Sequence, residues 1–398
     1  MKKFLEKSVR WLLTASGFVT SLTILLIIGF LFTEGAGLFR EPVVEKGYVL
    51  AVNASNPVTE LDAEQIKAVF DEDVTNWKEV GGKDMAIIPF RLEDADEYFT
   101  AAQLGERYEH AQSLMCSLVA SSPGMIAFLP ESMISSGDGV KILDEHRISA
   151  AEVLGGREWF PTATPSPLFG MLPLLLGTLW VSLFAILFAL PFGISIAIYM
   201  SEVASPKVRG VLKPIIELLN GIPSVVYGFF GLIVIVPMLQ KTFGLPVGES
   251  GLAGSLVLAI MALPTIVTVA EDAMRSCPRS LREASLALGA TKWQTIYKVV
   301  IPASMSGIAS GVVLGIGRAV GETMAVLMVT GNAAVMPRSI LEPLRTIPAT
   351  IAAELGEAPS GGAHYQALFL LGVILFFITF FINMCVEYIS SRNKARNN

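Results

Sequence analysis

Arg318 and Glu322 are the residues of this 398-residue chain best placed to do chemistry. They stand near the middle of an apolar run, about 306–330, that is long enough to cross a membrane. A charge at that depth costs ~2.5–3.5 kcal/mol on insertion scales, so it faces a partner or a wet pathway. A spacing of four puts both side chains on one helix face, where they can pair. A guanidinium is a planar, permanently charged fork that suits an oxyanion. Glu322 can hold Arg318 in place, or balance its charge when no anion is bound. A purely structural intrahelical pair is the plainer alternative. Hydroxyls at Ser224 after Pro223 and at Thr265 after Pro264 can add donors. The plainer reading of the two prolines is helix kinks whose freed backbone groups are satisfied by the neighbouring hydroxyls.

A second stretch is polar and helical, yet lies between two apolar runs. It reads Glu283-Ala284-Ser285-Leu286-Ala287-Leu288-Gly289-Ala290 and closes at Ile301-Pro302. An Ala-rich helix, a Gly that breaks it and a second helix stopped by Pro make a compact knob. Such a knob can transmit a rigid-body push.

The elements that must position these residues follow from composition. Apolar residues make up 53% of the chain and mean hydropathy is +0.59. Residues 34–167 hold 23 acids against 10 bases, a net charge of −13, while the remainder is net +7. The chain is therefore an acidic, water-facing domain inserted in a basic membrane part. Trp11 to Phe32 is too long for a signal-peptide core and is read as an uncleaved first span. Further runs at about 170–199, 221–240, 252–271, 306–330 and 366–389 bring the spans to six. If the N-terminus is cytoplasmic, the inner segments hold fifteen Lys and Arg residues and the short outer loops only Lys241, Arg338 and Arg345. That bias places both termini inside and residues 34–167 outside. Glu271-Asp272 then reads as a solvated inner helix end.

In the inserted domain, Tyr48 to Val52, Met85 to Ile88 and Gly124 to Phe128 read as strands. Asp62 is placed to cap a helix bearing Ile66, Val69 and Phe70. The expected organisation is a tail and first span at 1–40, an α/β lobe at 41–150, and a five-helix core at 151–398 whose polar loop occupies 272–305. No phosphate-cradling G-x-x-x-x-G-K-[ST] loop occurs, so the chain is not expected to hydrolyse ATP. His110, His146 and His364 are isolated. Cys116, Cys277 and Cys385 fall in separate regions, which argues against a disulfide or a metal site.

The 283–302 stretch resembles the EAA loop of ABC importer permeases, with Ser285 as the third residue of the motif. Phe169-Gly170-Met171-Leu172-Pro173, Gly221-Ile222-Pro223-Ser224-Val225-Val226-Tyr227-Gly228, Ala262-Leu263-Pro264-Thr265-Ile266 and Arg318-Ala319-Val320-Gly321-Glu322-Thr323-Met324 resemble the phosphate-specific (Pst) ABC importer, C-type permease subunit. The likeness covers the first span and 155–390. It implies an all-α membrane fold of six transmembrane helices and no enzymatic activity. It implies import of inorganic phosphate by alternating access in a bacterial inner membrane. The implied partners are an A-type sister permease, two ATPase subunits that bind ATP and Mg, an extracytoplasmic phosphate-binding protein and membrane lipid; nucleic acid is not among them. The substrate pathway would include Arg318, Glu322, Thr323 and Ser224. ATPase coupling would fall to Glu283, Ala284, Ser285, Leu288, Gly289, Ala290, Ile301 and Pro302. The knob is indifferent to substrate, so sulfate, molybdate or phosphonate stays an alternative. A membrane sensor would need an output domain, and only about ten polar residues follow the last span. The inserted lobe resembles part of a Pst-type phosphate-binding protein. Where that family follows an Arg with Ser-Gly-Thr-Arg, this chain follows Arg91 with Glu93-Asp94-Ala95-Asp96-Glu97. Carboxylates repel an anion, so the lobe is expected to dock or gate rather than bind phosphate.

Overall fold

A computed structural model describes residues 2–105, 110–137 and 139–397. The chain forms two compact units. One comprises residues up to 35, 172–360 and from 368 onward; the other comprises 36–171 with 361–367.

The smaller unit is an α/β lobe around a mixed sheet. Strands β1 (Tyr48–Asn53), β2 (Ile88–Arg91), β3 (Met125–Pro130) and β4 (Val140–Ile142) lie in the order β2-β3-β1-β4. β3 pairs antiparallel with β1 and parallel with β2. Helix α2 (Ala63–Phe70) begins at Asp62 as expected, with Asp62 and Gln65 capping each other's backbone N–H. Helix α3 (Ala111–Ser121) buries Met115 and Val119 against Phe90, Ala127 and Leu129 of the sheet. The second strand lies three residues later than the reading of 85–88. It carries Pro89, which cannot donate to a ladder, and it sits at the sheet edge where that loss is tolerated.

The larger unit is helical. Six of the chain's described helices are long and apolar enough to span a membrane: Val9–Arg40, Leu172–Val203, Ser224–Phe243, Gly251–Arg275, Lys292–Gly321 and Ala363–Cys385. They are built from α1 (Lys2–Gly37), α4 (Leu172–Ile198), α6 (Ser224–Phe230), α7 (Val236–Phe243), α8 (Gly251–Arg275), α10 (Lys292–Thr295), α11 (Ile301–Gly321) and α14 (Ala363–Asn397). Amphipathic α5 (Pro206–Asn220) and α9 (Arg279–Ala287) lie between spans, and α12 (Met324–Val329) and α13 (Ile347–Glu354) follow the fifth.

The fifth span corrects two expectations. It runs Lys292–Gly321 instead of 306–330, and Pro302 does not stop the helix before it. A π-helical turn, Ile296–Val300, joins α10 to α11. Pro302 would clash with the carbonyl of Lys298 in a tight α-turn, and the wider turn relieves that clash. Ile301 and Pro302 therefore sit inside one continuous rod. A similar turn, Gly231–Ile235, precedes Pro237 between α6 and α7.

α8 is the central helix, packed between α4 and α11, with Val257, Ile266, Ala270 and Met274 buried. Small residues allow the approach. A Cβ at Gly315 would lie 2.8 Å from Ile266 Cγ1, and one at Gly311 3.1 Å from Val269 Cβ. Gly317, on the same helix, has no neighbour within 4 Å of such a Cβ. Overpacking a tight core costs ~1–3 kcal/mol. Gly315→Val should therefore lower the thermal midpoint of the purified protein in detergent, and Gly317→Val should leave it within experimental scatter. Equal midpoints for the two variants would contradict the α8–α11 contact.

Candidate functional site

Asn220, the exposed last residue of α5, gathers polar groups from two neighbouring helices. Its Oδ1 accepts from Arg318 Nη1 at 3.2 Å and from Thr265 Oγ1 at 3.4 Å. Thr265 is two residues from the centre of α8, about 3 Å along its axis. α11 runs antiparallel to α8, with Gly307 against Ala273 and Gly311 against Val269. Arg318 therefore reaches the middle of the span although it lies in the last turn of its own helix. Tyr227 Oη donates to Leu219 O at 2.8 Å, covering a carbonyl freed where α5 ends before Gly221-Ile222-Pro223.

Arg318 and Glu322 do not pair. α11 ends at Gly321, and Glu322 has extended backbone, φ −73° and ψ 134°. The four-residue spacing shares a face only while the helix continues. Glu322 Oε1 instead accepts from Ala325 N at 3.4 Å, at the start of α12. Thr323 Oγ1 donates to Gly321 O at 3.4 Å and lines a groove with Pro348 and Ile351 of α13. Ser224 opens α6 and is half-buried. Among the described residues, neither Ser224, Glu322 nor Thr323 makes a hydrogen bond to Arg318. Asn220 went unread, though an amide standing between Leu219 and Gly221-Ile222-Pro223 in an apolar stretch was a usable signal.

The helix and the Gly break of the knob form as their spacing implied, although the second helix runs on through Pro302. α9 ends at Ala287 with Leu288 as its C-cap, and Gly289 adopts φ +82°, a region that costs other L-residues ~1–2 kcal/mol. Thr291 then caps α10 reciprocally with Gln294. Ser285 Oγ and Thr295 Oγ1 lie 2.9 Å apart and tie the two helices, and Ala290 N donates to Ser285 O. Glu283 and Ala284 are exposed. Leu286, Trp293 and Tyr297 are exposed too, and Leu288 retains 89% of its accessible surface. That many uncovered apolar side chains mark a contact surface.

Glu271 departs furthest from expectation. It is fully buried, not solvated. Its carboxylate takes Arg209 Nη2 at 2.6 Å, Lys213 Nζ at 3.2 Å and Arg275 Nη1 at 3.8 Å. Arg209 and Lys213 come from α5, some sixty positions away in sequence, so no local pattern announced them. Exposed Asp272 also binds Lys213, at 3.0 Å. Burial opposes the charge on Lys213, but the hydrogen bonds it donates to Asp272 and Glu271 outweigh that and hold its pKa above the ordinary lysine value. Arg282 of the knob donates to Met274 O at 2.7 Å and pairs with Glu202 at 2.9 Å. Glu202 lies in a further π turn, Tyr199–Val203.

In the lobe, the residues around Arg91 serve local structure. Asp94 Oδ2 accepts from Arg91 N at 2.7 Å, and the guanidinium stacks 5.4 Å above the Phe70 ring.

Residues 189–395 match the family described as binding-protein-dependent transport system inner membrane component. Residues 6–142 match the PBP superfamily domain. The probable ABC transporter permease protein YqgH of Bacillus subtilis is 41% identical over 281 residues, 70% of this chain and 88% of that protein. The phosphate transport system permease protein PstC of Mesorhizobium japonicum is 39% identical over 262 residues, 61% of this chain and 79% of that protein. An inward-facing structure of the MetNI methionine ABC transporter covers 56% of this chain and 97% of its own, with TM-score 0.43 and 19% identity.

Proposed function

The chain belongs to the family of binding-protein-dependent transport system inner membrane components, and from that membership we propose that it is the permease subunit of an ATP-driven importer of inorganic phosphate. The observation that carries the substrate is Arg318, held by Asn220 at mid-span. Phosphate at neutral pH is a strongly hydrated anion. To cross hydrocarbon it needs donors that replace its water. One N–H of Arg318 is engaged by Asn220, and the rest of the guanidinium is left to meet an oxyanion. Asn220 fixes the fork in direction without neutralising it, which a carboxylate partner would do.

The chain would work with a sister permease, two ATPase subunits binding ATP and Mg, and an external phosphate-binding protein. The excess of Lys and Arg at one end of the bundle supports an orientation with both termini and the knob cytoplasmic and the acidic lobe outside. The exposed Leu286, Leu288 and Trp293 suit a groove on the ATPase. ATP-driven closure would move the knob, and the spans would rock between outward and inward access. The lobe, with Arg91 engaged on Phe70, fits a docking role for the binding protein.

Arg318→Lys keeps charge but loses the fork, and Arg318→Gln loses both. Phosphate uptake into cells should fall in that order, at near-normal protein levels and with the complex still co-purifying. Wild-type uptake by Arg318→Gln would reject the substrate role.

Gly289→Asp strains the turn of the knob and adds charge to its apolar surface. The expected result is an inserted protein whose partner ATPase runs without transport. Normal transport at normal ATPase stimulation would remove the docking assignment.

Single cysteines at exposed Ser121 and Ser280 should label from opposite sides of the membrane. Equal labelling by an impermeant reagent in intact cells would overturn the orientation.

A further inference from the structure

We infer that Glu271 is a positioning residue that links movement of the knob to the guanidinium site, acting through α5. The inference rests on the substrate reading of Arg318. Burying a carboxylate is costly, and the best-attested use of a buried charge cluster is to fix one register between elements. Glu271 does this for α5. No residue of α5 is buried, so apolar packing alone does not hold this helix to the bundle. Its polar attachments run from the first turn to the midpoint, and resume at the last residue. In its first half Arg209 and Lys213, four apart on one face, grip Glu271, which sets both the height and the rotation of the helix. At the other end Asn220 holds Thr265 and Arg318. Arg209 and Asn220 stand eleven residues apart, so the helix between them is a rod of about 16 Å.

The knob is anchored to the same place. Arg282 of α9 bonds the carbonyl of Met274, one turn beyond Glu271 on α8. Its second bond, to Glu202, reaches the end of the second span. The last turn of α8 therefore carries the knob on one side and α5 on the other. A displacement of the knob that moves this turn shifts the grip on α5, and α5 ends on the amide that aims Arg318.

The test uses the whole complex in proteoliposomes, with wild-type phosphate uptake established first; its absence would sink the substrate reading before this one is reached. Glu271→Gln keeps the shape and removes the charge. Phosphate moved per ATP hydrolysed should fall about tenfold, a usual size for coupling between sites, while ATP hydrolysis continues. The double variant Arg209→Gln, Lys213→Gln should show the same deficit, and adding Glu271→Gln to it should deepen it no further. The conservative Arg209→Lys, Lys213→Arg variant should restore the ratio, which separates the clamp from general damage. A second readout is independent of substrate. Spin labels at exposed Leu218 on α5 and Leu183 on α4 should change separation when ATP is added to wild type but not to the Glu271→Gln complex. An unchanged transport-to-ATP ratio, a proportional loss of both activities, or an ATP-driven separation change that survives in the variant would each overturn the inference.

Discussion

Hydrocarbon offers no partner to a bare backbone carbonyl or N–H, so every interruption of a membrane helix must supply its own cover. The bundle has two interruptions beside its polar centre, and each is covered from within. Tyr227 Oη closes on Leu219 O where α5 gives way to Gly221-Ile222-Pro223. Glu322 closes on Ala325 N where α11 gives way to α12. With those groups satisfied, the chain can stop, turn and restart at a depth where a helix would otherwise have to run on. That freedom brings Asn220 and Arg318, almost a hundred residues apart, to the same point. Interrupted helices beside a polar centre are how many transporters build a site near the bilayer midplane.

The apolar runs and the Gly-centred knob were legible because each depends on neighbours in sequence. Six spans, the Asp62 cap and the turn at Gly289 all follow from local composition and backbone preference. What escaped were contacts that only the folded chain makes. A four-residue spacing was read as a shared helix face between Arg318 and Glu322, yet the helix ends between them. Hydropathy averages over a window and does not register a two-residue break. Glu271 beside Asp272 and Arg275 has the composition of a solvated helix end, and only the distant Arg209 and Lys213 give it a reason to be buried. Pro302 was read as a stop because the local rule is steric, but a wider turn satisfies the same sterics without ending the helix.

The lobe shows the opposite economy. Its strands and capped helix form a core of their own around Met115 and Phe90. Around Arg91, however, side chains that could face a ligand are turned to local work, with Asp94 on backbone and the guanidinium on Phe70. A fold can therefore persist through its packing after the groups at its rim have taken other partners.

The π turn at Ile296–Val300 has a further meaning as a matter of phase. It is in effect one extra residue wound into a rod that runs from Lys292 to Gly321. Beyond it, every side chain emerges at an azimuth displaced by about 100° from the one an unbroken α-helix would give, at a shift of only about 1.5 Å in height. The direction in which Arg318 leaves the rod is thus decided some twenty residues earlier, at the end nearest the knob. Twist applied there arrives at the guanidinium as a change of aim more than of depth. A torsional rod of this kind can turn a side chain toward or away from its neighbour with little movement along the rod's axis.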